Sequence, residues 1–231
     1  MNKQIYDSAV FSLVIQFIIA FICLFGLFIH VEKKDAILNE ILILETLVQI
    51  IEFCFYLWLI YNFSNITFDV TLIRYIDWFI TTPTMLFSII AFMIYRNTRL
   101  SNMDNMDNMD NKNITLKNIV NKNTTNLIYV FVANALMLIL GFLGELKILN
   151  KLFSFFSSSI FLFVSFYIIY SNYVSNDWLN KFIFWFNFVL WSGYGIGYLY
   201  SVTTKNVIYN ILDIFSKNIN GLLILLYILL I

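Results

Sequence analysis

Proline occurs once in this chain of 231 residues, glycine seven times and cysteine twice, and only 12% of the residues carry a charge. Each shortage excludes something. A chain this poor in turn formers does not read as a transmembrane barrel, whose strands alternate in segments of about ten residues. It reads as long helices. Cys23 and Cys54 each sit inside an apolar run, so neither a disulfide nor a metal cluster is expected. The formal net charge is zero, and no nucleic-acid partner is indicated. What the chain has instead is apolar bulk, 61% of its residues, with a mean hydropathy of +0.81. A soluble domain is about half apolar and a quarter charged. This chain needs lipid as its solvent.

A membrane span takes about 20 apolar residues. Seven such runs fall at 8–30, 38–62, 71–95, 126–146, 149–171, 178–201 and 206–230. They predict an all-α membrane protein, a single seven-helix bundle over residues 1–231 that crosses the bilayer many times. The first run is too long for a signal-peptide core, and no small-residue cleavage site follows it. An odd number of spans puts the termini on opposite sides. One side holds Lys33, Lys34, Arg96, Arg99, Lys112, Lys117, Lys122 and Lys181, and the other only Lys3, Lys147, Lys151 and Lys205. Basic loops stay cytoplasmic, so the N-terminus is expected to be extracellular. Spans 4 and 5 are joined by a few residues around Lys147 and Asn150 and must be antiparallel neighbours. Residues 101–113 read SNMDNMDNMDNKN, which cannot bury apolar area, and 101–125 is expected to be a flexible cytoplasmic loop. A calcium site on Asp104, Asp107 and Asp110 would lack the glycine turn and bidentate glutamate such sites use.

Away from the span ends, six charged residues lie within the spans: Glu45, Glu52, Arg74, Asp77, Asp213 and Lys217. Each would cost roughly 2.5–3.5 kcal/mol if left alone at a helix centre. Together that is on the order of 15 kcal/mol, more than a typical folding stability. They must face inward and neutralise one another. Their spacing agrees. Asp213 and Lys217 lie one turn apart on span 7. Arg74, Asp77 and Thr81 share a face of span 3, with Ser88 on nearly the same azimuth about 16 Å further along. Glu45, Gln49, Glu52 and Tyr56 form one polar stripe on span 2. Three interior stripes point to a proton or ion path. Ion pairing that only fixes helix register is the plainer alternative.

The segment Arg74-Tyr-Ile-Asp77-Trp78-Phe-Ile-Thr81-Thr82-Pro83 resembles the third helix of microbial rhodopsins, the bacteriorhodopsin family. Trp191-Ser192-Gly193-Tyr194 is similar to that family's retinal-packing segment, and Asp213-Ile-Phe-Ser-Lys217 to its aspartate–lysine signature. Span 4 carries Asn134, Met137 and Gly141 at the family's spacing. The resemblance covers all seven spans and is weakest in span 1 and the loops. It implies that Lys217 carries all-trans retinal as a protonated Schiff base, with Asp77 and Asp213 as counterions and Asp77 as proton acceptor. Arg74 would stabilise the pair from the outer side. Trp78 and Trp191 would hold the polyene. Tyr56, Tyr75 and Tyr194 would line the pocket near the counterions, and Thr81 and Thr82 would hydrogen-bond within span 3. Met85, Met137, Gly141, Ser159 and Phe163 would surround the polyene and ring.

The sequence also departs from the family. Ser88 stands where fast pumps carry a carboxylate donor, so the acceptor–threonine–donor triplet reads Asp77, Thr81, Ser88. Reprotonation should be slow or be served by Glu45. Lys205 falls where an outer proton-release glutamate would be expected. Gly195 replaces a proline, and Tyr198 a tryptophan. The short chain and the pair Glu45 and Glu52 resemble rhodopsins of giant algal viruses, which would place the protein in a host-cell membrane. The implied partners are retinal, the lipid bilayer and protons or small cations. Self-association is left open, and no enzymatic activity is expected. Three functions compete. An outward light-driven proton pump is favoured by Arg74, Asp77, Asp213 and Lys217. A light-gated cation channel is favoured by the acidic stripe of span 2. A slow photosensor is favoured by Ser88 and the long loop.

Overall fold

The computed structural model describes residues 2–104 and 114–231, with side chains at 2–101 and 114–231. It holds seven helices: α1 (Lys3–Gly26), α2 (Ile37–Tyr61), α3 (Thr71–Asp104), α4 (Leu116–Glu145), α5 (Lys151–Tyr173), α6 (Trp178–Tyr198) and α7 (Val202–Leu230). Two short 3-10 turns, Lys33–Asp35 and Phe63–Asn65, flank α2. Among the described residues there is no strand. Six of the helices are long and apolar enough to cross a membrane. The remaining one, α6, is long enough but takes its bulk from Trp, Phe, Tyr and Asn rather than aliphatic side chains. The chain is an integral, multi-pass membrane protein.

Polar side chains start the helices. Asn2, Thr115, Asn150, Asp177 and Ser201 each accept a hydrogen bond from a backbone N–H of the first turn of α1, α4, α5, α6 and α7. Each satisfies a donor that the helix itself leaves unpaired. The turn from α4 to α5 is tight enough to need a left-handed residue, Lys147 at φ 60°.

The helix ends depart from the hydropathy reading in one region. α3 runs past residue 95 to Asp104, and α4 begins at Leu116 rather than 126. The described part of the expected 101–125 loop is therefore largely helical. Hydropathy finds where lipid begins, whereas hydrogen bonding sets where a helix ends. Here Thr115 caps α4, and Glu40 Oε2 accepts the Leu116 N–H at 3.0 Å. The Asn-Met-Asp repeat, and the calcium reading placed on it, fall outside the described side chains.

Consecutive helices pack side by side, and α7 closes the ring against α1. α3 also touches α5, α6 and α7. Its spanning window is 67% buried, against 28% for α1, α4 and α5, so α3 forms the interior wall and those three face outward. Phe11, Phe17, Phe153, Phe156 and Ile160 are among the large apolar side chains exposed on the outside, a surface suited to lipid rather than water. The inner face of α7 is polar instead, with Asn206, Asn210, Asp213, Ser216, Lys217 and Asn218 all buried. We call the end of the bundle that carries the N-terminus the N-terminal face and the opposite end the C-terminal face.

Candidate functional site

The interior charges meet at Lys217. Its Nζ donates to Asp77 of α3 and to Glu52 of α2, and Asp213 Oδ1, one turn earlier on α7, lies 3.8 Å away. Toward the N-terminal face, Arg74 NH1 donates to Asp213 Oδ2 at 2.7 Å and NH2 donates to Asn210 Oδ1. Asp213 also accepts from Tyr56 OH at 2.8 Å and from Tyr194 OH at 2.7 Å. Three carboxyl groups thus face two cations. Full ionisation would leave one negative charge unbalanced in the membrane, which lipid does not tolerate.

Toward the C-terminal face the α2 stripe continues. Glu45, Gln49, Glu52 and Tyr56 are all buried, as their spacing predicts. Glu45 Oε1 accepts from Ser88 Oγ of α3, which also contacts Met85 O at 2.9 Å. The neutral residue at the donor position and the nearby carboxylate are therefore direct partners. Thr81 and Thr82 donate one turn back, to Asp77 O at 3.0 Å and Trp78 O at 2.7 Å. Asn134 Nδ2 of α4 donates to Thr82 Oγ1 at 2.8 Å.

A cavity of about 110 Å³ opens beside Lys217. α3 contributes Tyr75, Trp78, Thr82 and Met85, α4 contributes Met137 and Gly141, and α5 contributes Ser159. From α6 come Trp191, Tyr194 and Tyr198. Gly141 is required there, because a Cβ would lie 2.6 Å from Tyr75 OH. Tyr56, expected to line the pocket, instead bonds to Asp213 and Arg74 and is not among the residues lining the cavity. Phe163 is corrected. It is 58% exposed and lies tilted against Phe188, with ring centroids 5.7 Å apart, while Leu162 takes the inward place. One position on a helix is about 100° of rotation, and spacing on α5 alone did not fix which of the two faces in. An apolar slot walled by two tryptophans and containing one lysine amine fits a long conjugated aldehyde.

The sequence profile of the bacteriorhodopsin-like protein family matches residues 7–231. The chain belongs to that family. Retinal, which the family binds through a Schiff base to a lysine, is its cofactor. A search of curated proteins found no match. Solved structures share the fold. The viral rhodopsin OLPVRII is 24% identical with a TM-score of 0.81, covering 96% of each chain. The light-driven proton pump rhodopsin CsR of Coccomyxa subellipsoidea is 17% identical with a TM-score of 0.69, covering 98% of this chain and 97% of that one. Halorhodopsin, a light-driven chloride pump, is 15% identical with a TM-score of 0.69, covering 99% and 96%. A proton pump and a chloride pump thus both share the fold of this rhodopsin.

Several polar residues of this rhodopsin escaped the sequence reading. Ser12 of α1 donates to Asn210 O at 2.9 Å and accepts from Gln16 at 2.8 Å, so α1 joins the polar seam between α2 and α7. Tyr209 lines the cavity beneath Trp78, with ring centroids 5.3 Å apart. Lys205, counted by sequence among the loop charges that set orientation, is a buried ion-pair member. Its Nζ contacts Asp69 Oδ2 at 2.8 Å and Glu145 Oε2 at 2.7 Å. Burial pushes the Asp69 carboxyl up, but Lys205 and Asn206 outweigh it and hold Asp69 below the usual carboxylate range. Glu145 is brought to Lys205 from the end of α4. Its only sequence mark is a charge at the end of an apolar run.

Proposed function

We propose that this rhodopsin moves protons outward across the membrane in response to light, with the N-terminal face outside. The observation that carries the reading is the order of groups along the bundle. Glu45 with Ser88 lies on one side of Lys217, and Asp77, Asp213 and Arg74 lie at it and on the other. Retinal bound through Lys217 supplies light absorption and a light-driven change in the direction of the charge at that nitrogen. Trp78, Trp191, Met85, Met137, Gly141 and Tyr194 are placed to hold and orient it. Asp77 is placed to take a proton from Nζ, and Arg74 with Tyr56 and Tyr194 to stabilise Asp213 beside it. Glu45 is placed to return a proton from the C-terminal side, where Ser88 has none to give. Proton transfer between groups held in contact is efficient when their proton affinities cross.

A second reading, a light-gated cation channel, is favoured by one observation. Gln16 Oε1, Gln49 Oε1, Glu45 Oε2, Glu52 Oε1 and Asn218 Oδ1 are all buried without a hydrogen-bond partner. They lie on α1, α2 and α7, where a wet, cation-attracting seam would give them partners. Voltage clamp under light separates the readings. A pump passes outward current at zero electrochemical gradient, and Asp77→Asn abolishes it. A current that vanishes at zero gradient and reverses with the external cation overturns the pump and establishes the channel.

A further inference from the structure

Asn187 of α6 and Asn220 of α7 exchange two hydrogen bonds. Asn187 Nδ2 donates to Asn220 Oδ1 at 3.1 Å, and Asn220 Nδ2 donates to Asn187 Oδ1 at 2.9 Å. Both residues are buried, at 0% and 5% exposure. Each amide also donates one turn back along its own helix, to Ile183 O at 2.9 Å and Ser216 O at 3.3 Å. A reciprocal amide pair is directional, so it holds only while α6 and α7 keep one relative position.

The same Asn220 lines a small cavity of about 10 Å³ together with Glu45 and Ser88. Glu45 Oε1 is taken by Ser88, while Glu45 Oε2 is buried and has no partner. A void of that size accommodates about one water, provided polar groups line it. Here the free carboxyl oxygen and the second lone pair of Asn220 Oδ1 supply them. Ile183 and Ile224, both buried, line the cavity too, each one turn from the asparagine of its own helix toward the C-terminal face.

Asn220 is also tied to the charge cluster. It lies one turn past Lys217, and its Nδ2 bonds to Ser216 O. Ser216 Oγ is 2.7 Å from Tyr194 OH, which donates to Asp213. A hydrogen-bonded run therefore leads from Asp213 through Tyr194 and Ser216 to the amide pair.

We propose that the Asn187–Asn220 pair is a latch between α6 and α7 that controls water access from the C-terminal face to Glu45, through a one-water site bounded by Glu45 Oε2 and Asn220. Breaking the pair lets Ile183 and Ile224 separate and opens a path for water to Glu45. Both asparagines are positioning residues that act through Glu45. The proposal rests on Glu45 serving the light-driven ion movement described above, whether the rhodopsin pumps or conducts.

The test is thiol accessibility. A reporter Ile224→Cys is placed in a Cys23→Ala, Cys54→Ala background of the full retinal-bound chain. It is then labelled in the dark with a small water-soluble methanethiosulfonate applied at the C-terminal face. Asn187→Leu or Asn220→Leu should raise the dark labelling rate about tenfold, the scale expected for losing two interhelical hydrogen bonds in a membrane. The double variant should gain no more than either single one, because both remove one latch. The visible absorption band shows that each variant folds, and Asn187→Ser replaces any leucine variant that gives no pigment. Unchanged dark rates in folded variants overturn the latch, as does an additive double variant. Recovery after a flash should also be faster in the latch variants but not when Glu45→Gln is added. The dark labelling result does not depend on transport, so it stands or falls separately from the pump.

Discussion

Glu52 of α2 and Lys217 of α7 are direct partners, in addition to the contact of Lys217 with Asp77. Glu52→Gln should therefore shift the visible band in the same direction as Asp77→Asn, to the red, because each removes a negative partner of the Lys217 charge. Absorption spectra of the two variants check this. A band unmoved by Glu52→Gln would show that Asp77 and Asp213 alone set the colour.

Lys217→Ala should give no visible pigment when retinal is added, since Lys217 is the lysine that lines the cavity. A coloured variant would end the assignment.

Arg74 is 1% exposed and bridges Asp213, Tyr56 and Asn210. Removing one partner of a buried ion pair costs about 3–5 kcal/mol. Arg74→Gln should lower stability by that order, measured by denaturation of the purified pigment. A loss below about 1 kcal/mol, the scale of an exposed pair, would mean the cluster repairs itself with water.

Glu45→Gln should slow pigment recovery after a flash by about 10²-fold, the lower end of what a positioned acid contributes. Ser88→Ala should slow it less, because Ser88 holds only Glu45 Oε1. Flash photolysis decides. Equal recovery in Glu45→Gln and the parent would place the proton source elsewhere.

The Asp69–Lys205–Glu145 cluster gives a pH dependence. Asp69 is held below its ordinary value of 3.8. Its contribution to stability is therefore fully present above that value and is lost as pH falls through the lower, folded value. Asp69→Asn should be less stable than the parent at neutral pH, and the difference should close in strong acid. Melting curves from pH 7 down to pH 3 test it. A gap that widens in acid would reverse the sign.

How much of this could be read from the sequence varied with distance along the chain. Apolar runs marked all seven helices, six of which are long and apolar enough to cross a membrane, because lipid imposes one continuous apolar length on a span. The stripes on α2, α3 and α7 were legible because i, i+3 and i+4 spacing is a property of one helix. Relations between helices were not. Nothing in the spacing of Glu45, Gln49 and Glu52 states that Glu52 meets Lys217 and Glu45 meets Ser88, because that depends on how α2 is rotated against its neighbours. Phe163 failed for the same reason. Lys205 looked like a loop charge because its partners, Asp69 and Glu145, lie 136 and 60 residues away in sequence. Asn187 and Asn220 carried no mark, since an asparagine in an apolar helix takes its meaning from what faces it.

The ion pairs at the two ends of the bundle differ in depth. At the N-terminal face, Arg74–Asp213 and Lys205–Glu145 have side chains no more than 9% exposed, although Asp69, the other partner of Lys205, is 21% exposed. At the C-terminal face, Arg96–Asp177 and Arg99–Asp35 leave the arginines 20% and 33% exposed. Water competes for the second set and hardly reaches the first. The bundle is thus a tube clamped at one rim and lightly tied at the other.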